Sequence, residues 1–443
     1  MPADGKEAVT MGADMTLACT SDFSGLVRGK GFRTADLGKR IESGVGWTPT
    51  NVQITCFDTI SDSPYGALGD LVLKPDPGCH VDADLPGDAG LSFLLGDIRT
   101  LDGAAWECCT RSILKRALDG FEKTSGLEIR ASFEHEFMLP GGRETRGFTL
   151  AGFAARQDFA SALLRALDGA DIQPDGFFRE YGPDQMEITL PPKPALRAAD
   201  EAVILRELTR AAASAMGDRA TFTPLVSPDV VGNGVHIHLS LWRPDGSPAM
   251  WSPEGQDGLS DPASAFVAGM LRHMPAAVAL TAPSVLSYRR LVPHRWSAAF
   301  NNLGRQDREA GVRICPLTAR DAATRARQFN VEYRAADAAA SPHLALAALV
   351  VAGTLGLRDG LSSPPATTED LSVLSADALT KRGIVRLPTD LEAALDAFAR
   401  DEAFRSGFPE RMPDIYIAHK RGEIAHVSGM SEEECFAAYA STY

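Results

Sequence analysis

The chain has 443 residues, of which 44% are apolar and 23% are charged, a balance that allows two or three structural units around a sizeable core. Its formal net charge of -14 argues against nucleic-acid binding, which needs clustered Lys and Arg, and is otherwise typical of a soluble surface. It leaves room for a small phosphate-bearing ligand, because a few local arginines suffice for one.

The sequence predicts neither a targeting segment nor a membrane-spanning one. The first twenty residues lack a basic region followed by an apolar run. The longest apolar stretch, residues 344–357, is shorter than the about 20 residues that a bilayer requires. The 7 cysteines form no C-x-x-C pair, and Cys108 and Cys109 sit in a helical pattern. We therefore expect reduced core thiols in a cytoplasmic protein, and neither a zinc site nor a disulfide framework.

The sequence pattern changes near residue 105, and we predict domains over 1–105 and 106–443. The first part is rich in Gly, Asp and Pro, which predicts short strands joined by loops, for example at 70–75. Beyond Trp106, apolar residues recur at helical spacing until Gly126, a stop signal. Later helices are predicted, in alternation with strands, at 157–167, 201–215, 344–357 (after the Ser341-Pro342 start) and from about 389 onwards.

Four predicted strands are apolar on one face and chemically reactive on the other. Side chains two apart on a strand share a face. The strands span 127–139, 185–190, 234–242 and 330–334, and their reactive faces carry Glu134 and Glu136; Gln185, Glu187 and Thr189; His236, His238 and Ser240; and Asn330, Glu332 and Arg334.

A solvated sheet face would give the same alternation in any one strand. However, a solvated face usually mixes Lys, Thr, Gln and Glu, whereas these faces contribute mainly metal ligands and anion binders. Two glutamates on one face repel each other unless a cation lies between them. Hard oxygen ligands with a single imidazole favour Mg²⁺ or Mn²⁺ over Zn²⁺.

Arginines cluster shortly before the last of these strands. The sequence has no G-x-x-x-x-G-K-[ST] phosphate loop, so a nucleotide would be held by metals and arginines. Any one of these arginines could be an ordinary surface residue, but together they could neutralise a transferring phosphoryl group: Arg290, Arg305, Arg308, Arg313 and Arg334.

The order of motifs along most of the chain resembles the glutamine synthetase family. The motifs are Asp22 before Arg28-Gly-Lys30, LKPDP at 73–77, FEHEF at 133–137, EYGPDQME at 180–187, GNGVHIHLS at 232–240, SYRRLVP at 287–293, Arg308 with Arg313, and VEYRAAD at 331–337 leading into SPHL at 341–344. The resemblance implies an α+β fold. A small β-grasp-like N-terminal domain would precede a large catalytic domain whose antiparallel sheet lines the active site.

The resemblance also implies roles for individual residues. Glu136, Glu180 and Glu187 would hold one metal, and Glu134, His236 and Glu332 a second, in a site of two to three Mg²⁺ or Mn²⁺ ions. His238, Arg308 and Arg313 would contact the phosphates of ATP, with Ser240 near the nucleotide. Arg290, Arg334 and the Gly232 backbone would bind the amino acid. Family members form stacked rings, so we expect a homo-oligomer, a decamer or dodecamer, in which Asp22 serves a neighbour's site.

The implied reaction is ATP-dependent formation of a γ-glutamyl amide through a γ-glutamyl phosphate. Family members that use ammonia continue Leu-Val-Pro with Gly-Tyr-Glu-Ala-Pro, and their Glu helps to hold ammonium. This chain has Trp296 at the Glu position, within His294-Arg295-Trp296-Ser297-Ala298. Trp offers an apolar wall or a cation–π face, so we predict an acceptor site at Asp22 and Trp296 for an alkylamine, polyamine or aromatic amine. The resemblance is to the γ-glutamyl-amine ligases of the family.

Other interpretations remain at the level of sequence. Trp296 could simply pack in its loop. Val231 stands where many members have Asn, which leaves open whether glutamate is the donor. The same scaffold could serve a mutase, a phosphotransferase or a ring-forming protein without catalysis, although a structural protein has no need for crowded carboxylates.

Overall fold

The computed structural model describes residues 13–87, 89–141 and 145–443. Its first part contains the strands β1 (Met15–Ser21), β2 (Val27–Arg33), β3 (Val45–Trp47), β4 (Leu71–Leu85) and β5 (Ala89–Thr100) and the helix α1 (Leu37–Ser43). They form one sheet in the order β2-β1-β5-β4-β3, in which only β1 and β5 are parallel. The strand predicted at 70–75 is thus the beginning of a much longer hairpin strand.

The second part is built on a larger sheet. Its strands are β6 (Glu128–Met138), β7 (Gly176–Arg179), β8 (Gln185–Thr189), β9 (Lys193–Pro194), β10 (Val235–Trp242), β11 (Leu303–Arg305), β12 (Val312–Ile314) and β13 (Val331–Ala336). The order is β11-β12-β13-β10-β6-β8-β7, with β9 beside β6. Every pairing except β11 with β12 is antiparallel, as predicted for the sheet that lines the site.

Helices cover this sheet and complete the α+β fold. They are α2 (Thr110–Ser125), α3 (Leu150–Ala154), α4 (Gln157–Asp168), α5 (Ala195–Ala215), α6 (Asp261–Thr281), α7 (Ser287–Arg290), α8 (Ala322–Gln328), α9 (Pro342–Arg358), α10 (Ala376–Lys381), α11 (Leu391–Arg400), α12 (Glu402–Arg405), α13 (Met412–Val427) and α14 (Glu432–Thr442). The helices predicted from periodicity are present as α2, α4, α5, α9 and α11. Cys108 and Cys109, however, precede α2, because Cys109 is its N-cap residue.

The longest apolar helix is α6, which packs against α9 at the centre of the core. A Cβ atom on Gly269 of α6 would lie 2.2 Å from the carbonyl oxygen of Ala352 on α9, so only glycine allows this close approach. By length and composition α6 could cross a membrane, but its most apolar window is 83% buried in the protein. The longest apolar stretch in the sequence is nevertheless in the α9 segment, because Arg272 and His273 interrupt the apolar run of α6.

A buried ion cluster joins the first sheet to the helices of the second part. Arg111 on α2 is 2% exposed and contacts Asp200 of α5 at 2.8 Å, Asp97 of β5 at 3.0 Å and Asp76 of β4 at 2.8 Å. His343 of α9 contacts the same Asp200 at 2.7 Å. Burial alone raises the pKa of Asp200, but His343 and Arg111 outweigh it and hold that pKa well below its usual range.

Replacing Arg111 should therefore destabilise the protein strongly. Arg111→Met leaves buried carboxylates without their cation, which typically costs about 3–5 kcal/mol in free energy of unfolding. We expect a large fall in the midpoint of thermal or denaturant unfolding. Lys115→Met is the matched control, since Lys115 contacts the same Asp97 from a more exposed position and such pairs contribute about 0–1 kcal/mol. Equal effects of the two substitutions would contradict the argument.

Candidate active site

The reactive faces of five neighbouring strands lie side by side in the larger sheet. Their apolar faces are buried against the core, so the alternate residues all point to the opposite side. The directly opposed pairs are Glu136 with Glu187, Glu134 with His236, His238 with Glu332, and Glu332 with Arg313. Residues from segments far apart in the sequence therefore form one continuous polar surface.

This surface forms the floor of a cleft of about 1150 Å³. All six predicted metal ligands line the cleft: Glu134, Glu136, Glu180, Glu187, His236 and Glu332. So do the predicted anion-binding and substrate-binding residues Gly232, Arg290, Arg308, Arg313 and Arg334, together with Trp296. The structure thus brings together most of the residues that the sequence singled out, and their individual roles remain proposals.

One of the two predicted metal sets is already grouped tightly. Ligand atoms of Glu134, His236 and Glu332 lie within 4.8 Å of one another. His236 Nδ1 is 3.1 Å from Glu134 Oε2 and 3.6 Å from Glu332 Oε1. An irregularity in the pairing of β10 with β13 next to His236 helps to aim this side chain. Two carboxylates and one imidazole at this spacing fit a divalent cation.

The surroundings of the two acids of this set favour the ionised form, which is the form that binds a metal. Burial by itself raises the pKa of Glu134, but hydrogen bonds to His236 and His238 hold it well below its usual range. Burial likewise opposes ionisation of Glu332, but Arg334 and the nearby histidines lower its pKa to about 2. Glu332 Oε2 also accepts a 2.8 Å hydrogen bond from Arg313 Nε.

The other predicted set is looser and more strongly repulsive. Glu136 Oε2 accepts hydrogen bonds from the Gly234 amide at 2.7 Å and from Gln185 Nε2 at 3.3 Å. Burial and the neighbouring Glu136 raise the pKa of Glu187 to about 10, and burial raises that of Glu180. Carboxylates crowded in this way favour either a proton or a cation between them. Glu136, Glu180 and Glu187 therefore also fit a hard divalent cation.

The predicted amino-acid-binding residues line the same cleft. Arg290 is buried and donates to Ser297 Oγ at 3.0 Å and to the Ala336 carbonyl at 2.7 Å. Its side chain passes so close to Gly232 that a Cβ atom there would lie 2.8 Å from Arg290 Cγ. Position 232 therefore requires glycine if Arg290 is to reach the cleft.

Four residues with a predicted role do not line the cleft: Arg305, His238, Ser240 and Asp22. His238 lies on the reactive face of β10, with Nε2 3.0 Å from Glu134 Oε1 and Nδ1 2.9 Å from Asn330 Oδ1. Ser240 is buried and accepts a 2.9 Å hydrogen bond from the Trp242 indole. In this chain His238 orients a predicted metal ligand, and Ser240 has an internal partner. Their contacts with a nucleotide stay predictions.

Asp22 lies outside the cleft of its own chain, in the β1–β2 hairpin. Its carboxylate accepts from Arg28 Nε at 2.7 Å and from the amides of Ser24 and Leu26 at 2.9 and 3.0 Å. These bonds hold the hairpin turn, and only 8% of the residue is exposed. The sequence analysis assigned Asp22 to the site of a neighbouring subunit, and its position outside the chain's own cleft is in keeping with that assignment. Its role towards a neighbouring subunit stays a prediction.

Trp296 and three aromatic rings that the sequence did not point to form one wall of the cleft. Trp296 packs edge-on against Tyr181 at 5.0 Å between ring centroids, and Tyr181 against Phe148 at 5.1 Å. Phe178 continues the row. Tyr181 could have been found beside Glu180 in its motif. Phe148 carried no signal, because it lies in a loop that only tertiary packing places here.

The loop that carries Trp296 is held by Glu309, which lies in the connection between β11 and β12. Glu309 accepts from the Trp296 amide at 2.9 Å and from the His294 amide at 3.0 Å. Trp296, His294 and Phe148 all have positive φ angles, near 58°, 61° and 54°. Bulky residues rarely adopt this backbone region, so these loops are fixed at a local cost in energy.

A carboxylate-lined floor beside several arginines is typical of enzymes that transfer phosphoryl groups. Residues 107–439 match the family described as glutamine synthetase, catalytic domain, and residues 7–106 match the glutamine synthetase N-terminal domain. The gamma-glutamylpolyamine synthetase GlnA3 of Streptomyces coelicolor is 35% identical, over 95% of this chain and 92% of that protein. The glutamine synthetase of Thermococcus kodakarensis is 31% identical, over 88% and 84%.

Solved structures agree with these matches. A structure described as a novel glutamine synthase homolog superimposes with a TM-score of 0.89 at 40% identity, over 97% of this chain and 98% of that one. GmaS in complex with ADP gives a TM-score of 0.80 at 25% identity, over 95% of each chain. The chain belongs to the glutamine synthetase family. The predicted family, fold class and ligase class are thereby confirmed.

Removing one crowded carboxylate should separate metal binding from folding. The folded protein raises the pKa of Glu187 above neutral pH, so folding at neutral pH requires this carboxylate to take up a proton, at a cost in free energy. Glu187→Gln removes this cost. We expect an unchanged or higher unfolding temperature in EDTA. At a manganese concentration about 100 times the dissociation constant, one bound ion stabilises by about 2.7 kcal/mol, so the variant should gain less from manganese than the wild type.

The control for this prediction is Glu128→Gln, at the exposed start of β6, the neighbouring strand that carries Glu134 and Glu136. It should leave the manganese-dependent rise in unfolding temperature unchanged. If Glu187→Gln retained the full rise, Glu187 would not be a metal ligand.

Proposed function

We propose that this protein is an ATP-dependent ligase that joins the γ-carboxylate of glutamate to an organic amine, through a γ-glutamyl phosphate. The observation that carries the proposal is the aromatic wall of Trp296, Tyr181 and Phe148 beside the crowded carboxylates. The similarity to GlnA3, a gamma-glutamylpolyamine synthetase, supports an acceptor larger than ammonia.

The donor would bind in the part of the cleft that contains Arg290 and Arg334. The planar guanidinium groups match a carboxylate, and the backbone at Gly232 would accept from the α-ammonium group. Arg334 is fixed by a 2.8 Å hydrogen bond from its Nε to the Arg308 carbonyl. This arrangement would direct the γ-carboxylate of glutamate towards the glutamates of the sheet.

In the first step, a γ-carboxylate oxygen attacks the terminal phosphorus of ATP, and the bond to the bridging oxygen breaks to release ADP. Mg²⁺ or Mn²⁺ held by the two glutamate sets would supply charge neutralisation for this transfer. Arg308 and Arg313 line the same cleft and would stabilise the charge on the phosphoryl oxygens. His238 would hold Glu134 in position through its 3.0 Å contact.

In the second step, the amine nitrogen attacks the acyl carbon, phosphate leaves, and the ammonium proton is lost to form the amide. The aromatic rings would bind the organic part of the amine and face its positive charge. Glu309 does not replace the missing loop carboxylate, since its two oxygens bind the amides of His294 and Trp296. Without that carboxylate, so small a cation as ammonium would have little to hold it.

The assembly and location belong to the proposal as well. Proteins of this family form oligomers, and we propose stacked rings of ten or twelve subunits with sites between neighbours. The free thiols of all 7 cysteines are in keeping with the reducing cytoplasm.

The test is an ADP-release assay with ATP, glutamate and a panel of ammonia, alkylamines, polyamines, ethanolamine and aromatic amines. We expect at least one organic amine to give faster turnover than ammonia, with the γ-glutamyl amide detected by mass spectrometry. Ammonia equal to or better than every amine would refute the proposed acceptor. Amine-independent turnover would favour a mutase or phosphotransferase.

A substitution at Trp296 tests the acceptor site directly. Trp296→Glu places a carboxylate where ammonia-using relatives have one, so kcat/KM for ammonia should rise and that for the preferred organic amine should fall by roughly tenfold, about 1.4 kcal/mol. Trp296→Phe keeps an aromatic face and should keep the preference for the organic amine. A change in KM for glutamate alone would show that the loop acts on the donor.

A further inference from the structure

Cys315 is a chemically reactive side chain beside the site that the proposed reaction does not use. It lies just after β12, is buried, and comes close to two residues of the catalytic floor. Its Sγ is 3.5 Å from His238 Nδ1 and 3.7 Å from Glu332 Oε2. Ligand atoms of His238, Cys315 and Glu332 all lie within 4.8 Å of one another.

The two separations from Cys315 Sγ are close to the edges of a tetrahedral zinc site. With Zn–S about 2.3 Å and Zn–N or Zn–O about 2.0–2.2 Å, the sulfur and a neighbouring nitrogen or oxygen ligand atom in a tetrahedron are about 3.5–3.6 Å apart. Asn330 Oδ1, 2.9 Å from His238 Nδ1, adds an oxygen beside the group. A thiolate with an imidazole selects a soft cation such as Zn²⁺, in contrast to the oxygen-rich sets for Mg²⁺ or Mn²⁺.

A cation could reach this group from a second opening. Cys315 lines a neighbouring cleft of about 450 Å³, together with Arg308, Arg313 and Phe329. Arg313 pairs with the same Glu332 oxygen at 2.6 Å and would yield that contact to the cation. Glu332 would keep its ion pair with Arg334 through the other oxygen.

We propose that His238, Cys315 and Glu332 form a Zn²⁺ site whose occupation inhibits the enzyme. Zinc binding there forms a Zn–S bond and releases the thiol proton to solvent. It also engages Glu332, which the neighbouring metal set needs, and His238, which positions Glu134. Inhibition therefore rests on the proposed function, whereas zinc binding does not. Sequence spacing gave no hint of this site, because His238 and Cys315 are 77 residues apart.

The binding test uses the full-length protein and Co²⁺ as a spectroscopic substitute for Zn²⁺. The wild type should develop a thiolate-to-cobalt charge-transfer band that Zn²⁺ abolishes, and Cys315→Ser should lack it. Cys435→Ser is the matched control, since Cys435 is the more accessible thiol, and it should retain the band. No band in the wild type, or an equal band in Cys315→Ser, would overturn the site.

The inhibition test measures amide formation at saturating Mg²⁺ and ATP against rising Zn²⁺. Loss of a residue that only supports a metal ligand typically lowers metal affinity by about 10–100-fold. Cys315 would be a direct ligand, so Cys315→Ser should raise the half-inhibitory zinc concentration by roughly tenfold or more. Activity without zinc should be unchanged in both serine variants. If Cys315→Ser misfolds, Cys315→Ala takes its place in this test. Equal zinc inhibition in wild type and Cys315 variants would overturn the regulation, whereas an inactive wild type that binds cobalt through Cys315 would instead count against the proposed function.

Discussion

The structure of the site is constrained by the mutual repulsion of five glutamates that lie together on one side of the larger sheet. Glu134, Glu136, Glu187 and Glu332 come from adjacent strands, and Glu180 joins them from the loop after β7. Removed from bulk water, such groups are stable only with protons, cationic side chains or metal ions among them. Histidines and arginines balance part of this charge, around Glu134 and Glu332. The negative charge around Glu187 is left to be neutralised by a proton or a metal cation.

The rest of the fold holds these groups together against that repulsion. The strands bury their apolar faces in the core, where β6 packs on α5 and β13 on α6, and the ladder of hydrogen bonds fixes which residues stand opposite one another. Because the side-chain period of a strand is two, slipping the register by one residue would turn the glutamates into the core. Packing of the hydrophobic layer is therefore what makes the crowded polar layer possible.

The aromatic wall has a different origin from the carboxylate floor. The floor lies on strands, whereas Trp296, Tyr181 and Phe148 lie on loops, where backbone angles and local contacts set each ring. In a family with a shared reaction, a rigid sheet can keep the phosphoryl chemistry while loops change the acceptor. The position of Trp296, where the family resemblance predicts a loop glutamate in ammonia-using members, fits this division of roles.

The sequence by itself determined the alternation of the four reactive strands, the long helices and the order of motifs that identified the family, because these signals are local in the chain. It also predicted which strand faces carry the candidate metal ligands, because residues two apart on a strand point to the same side. Only the tertiary structure decided which carboxylates face each other, that Asp22 ties its own hairpin, that Phe148 joins Trp296, and that Cys315 meets His238. Those outcomes depend on strand register and loop packing between residues distant in sequence, and no local pattern encodes such distances.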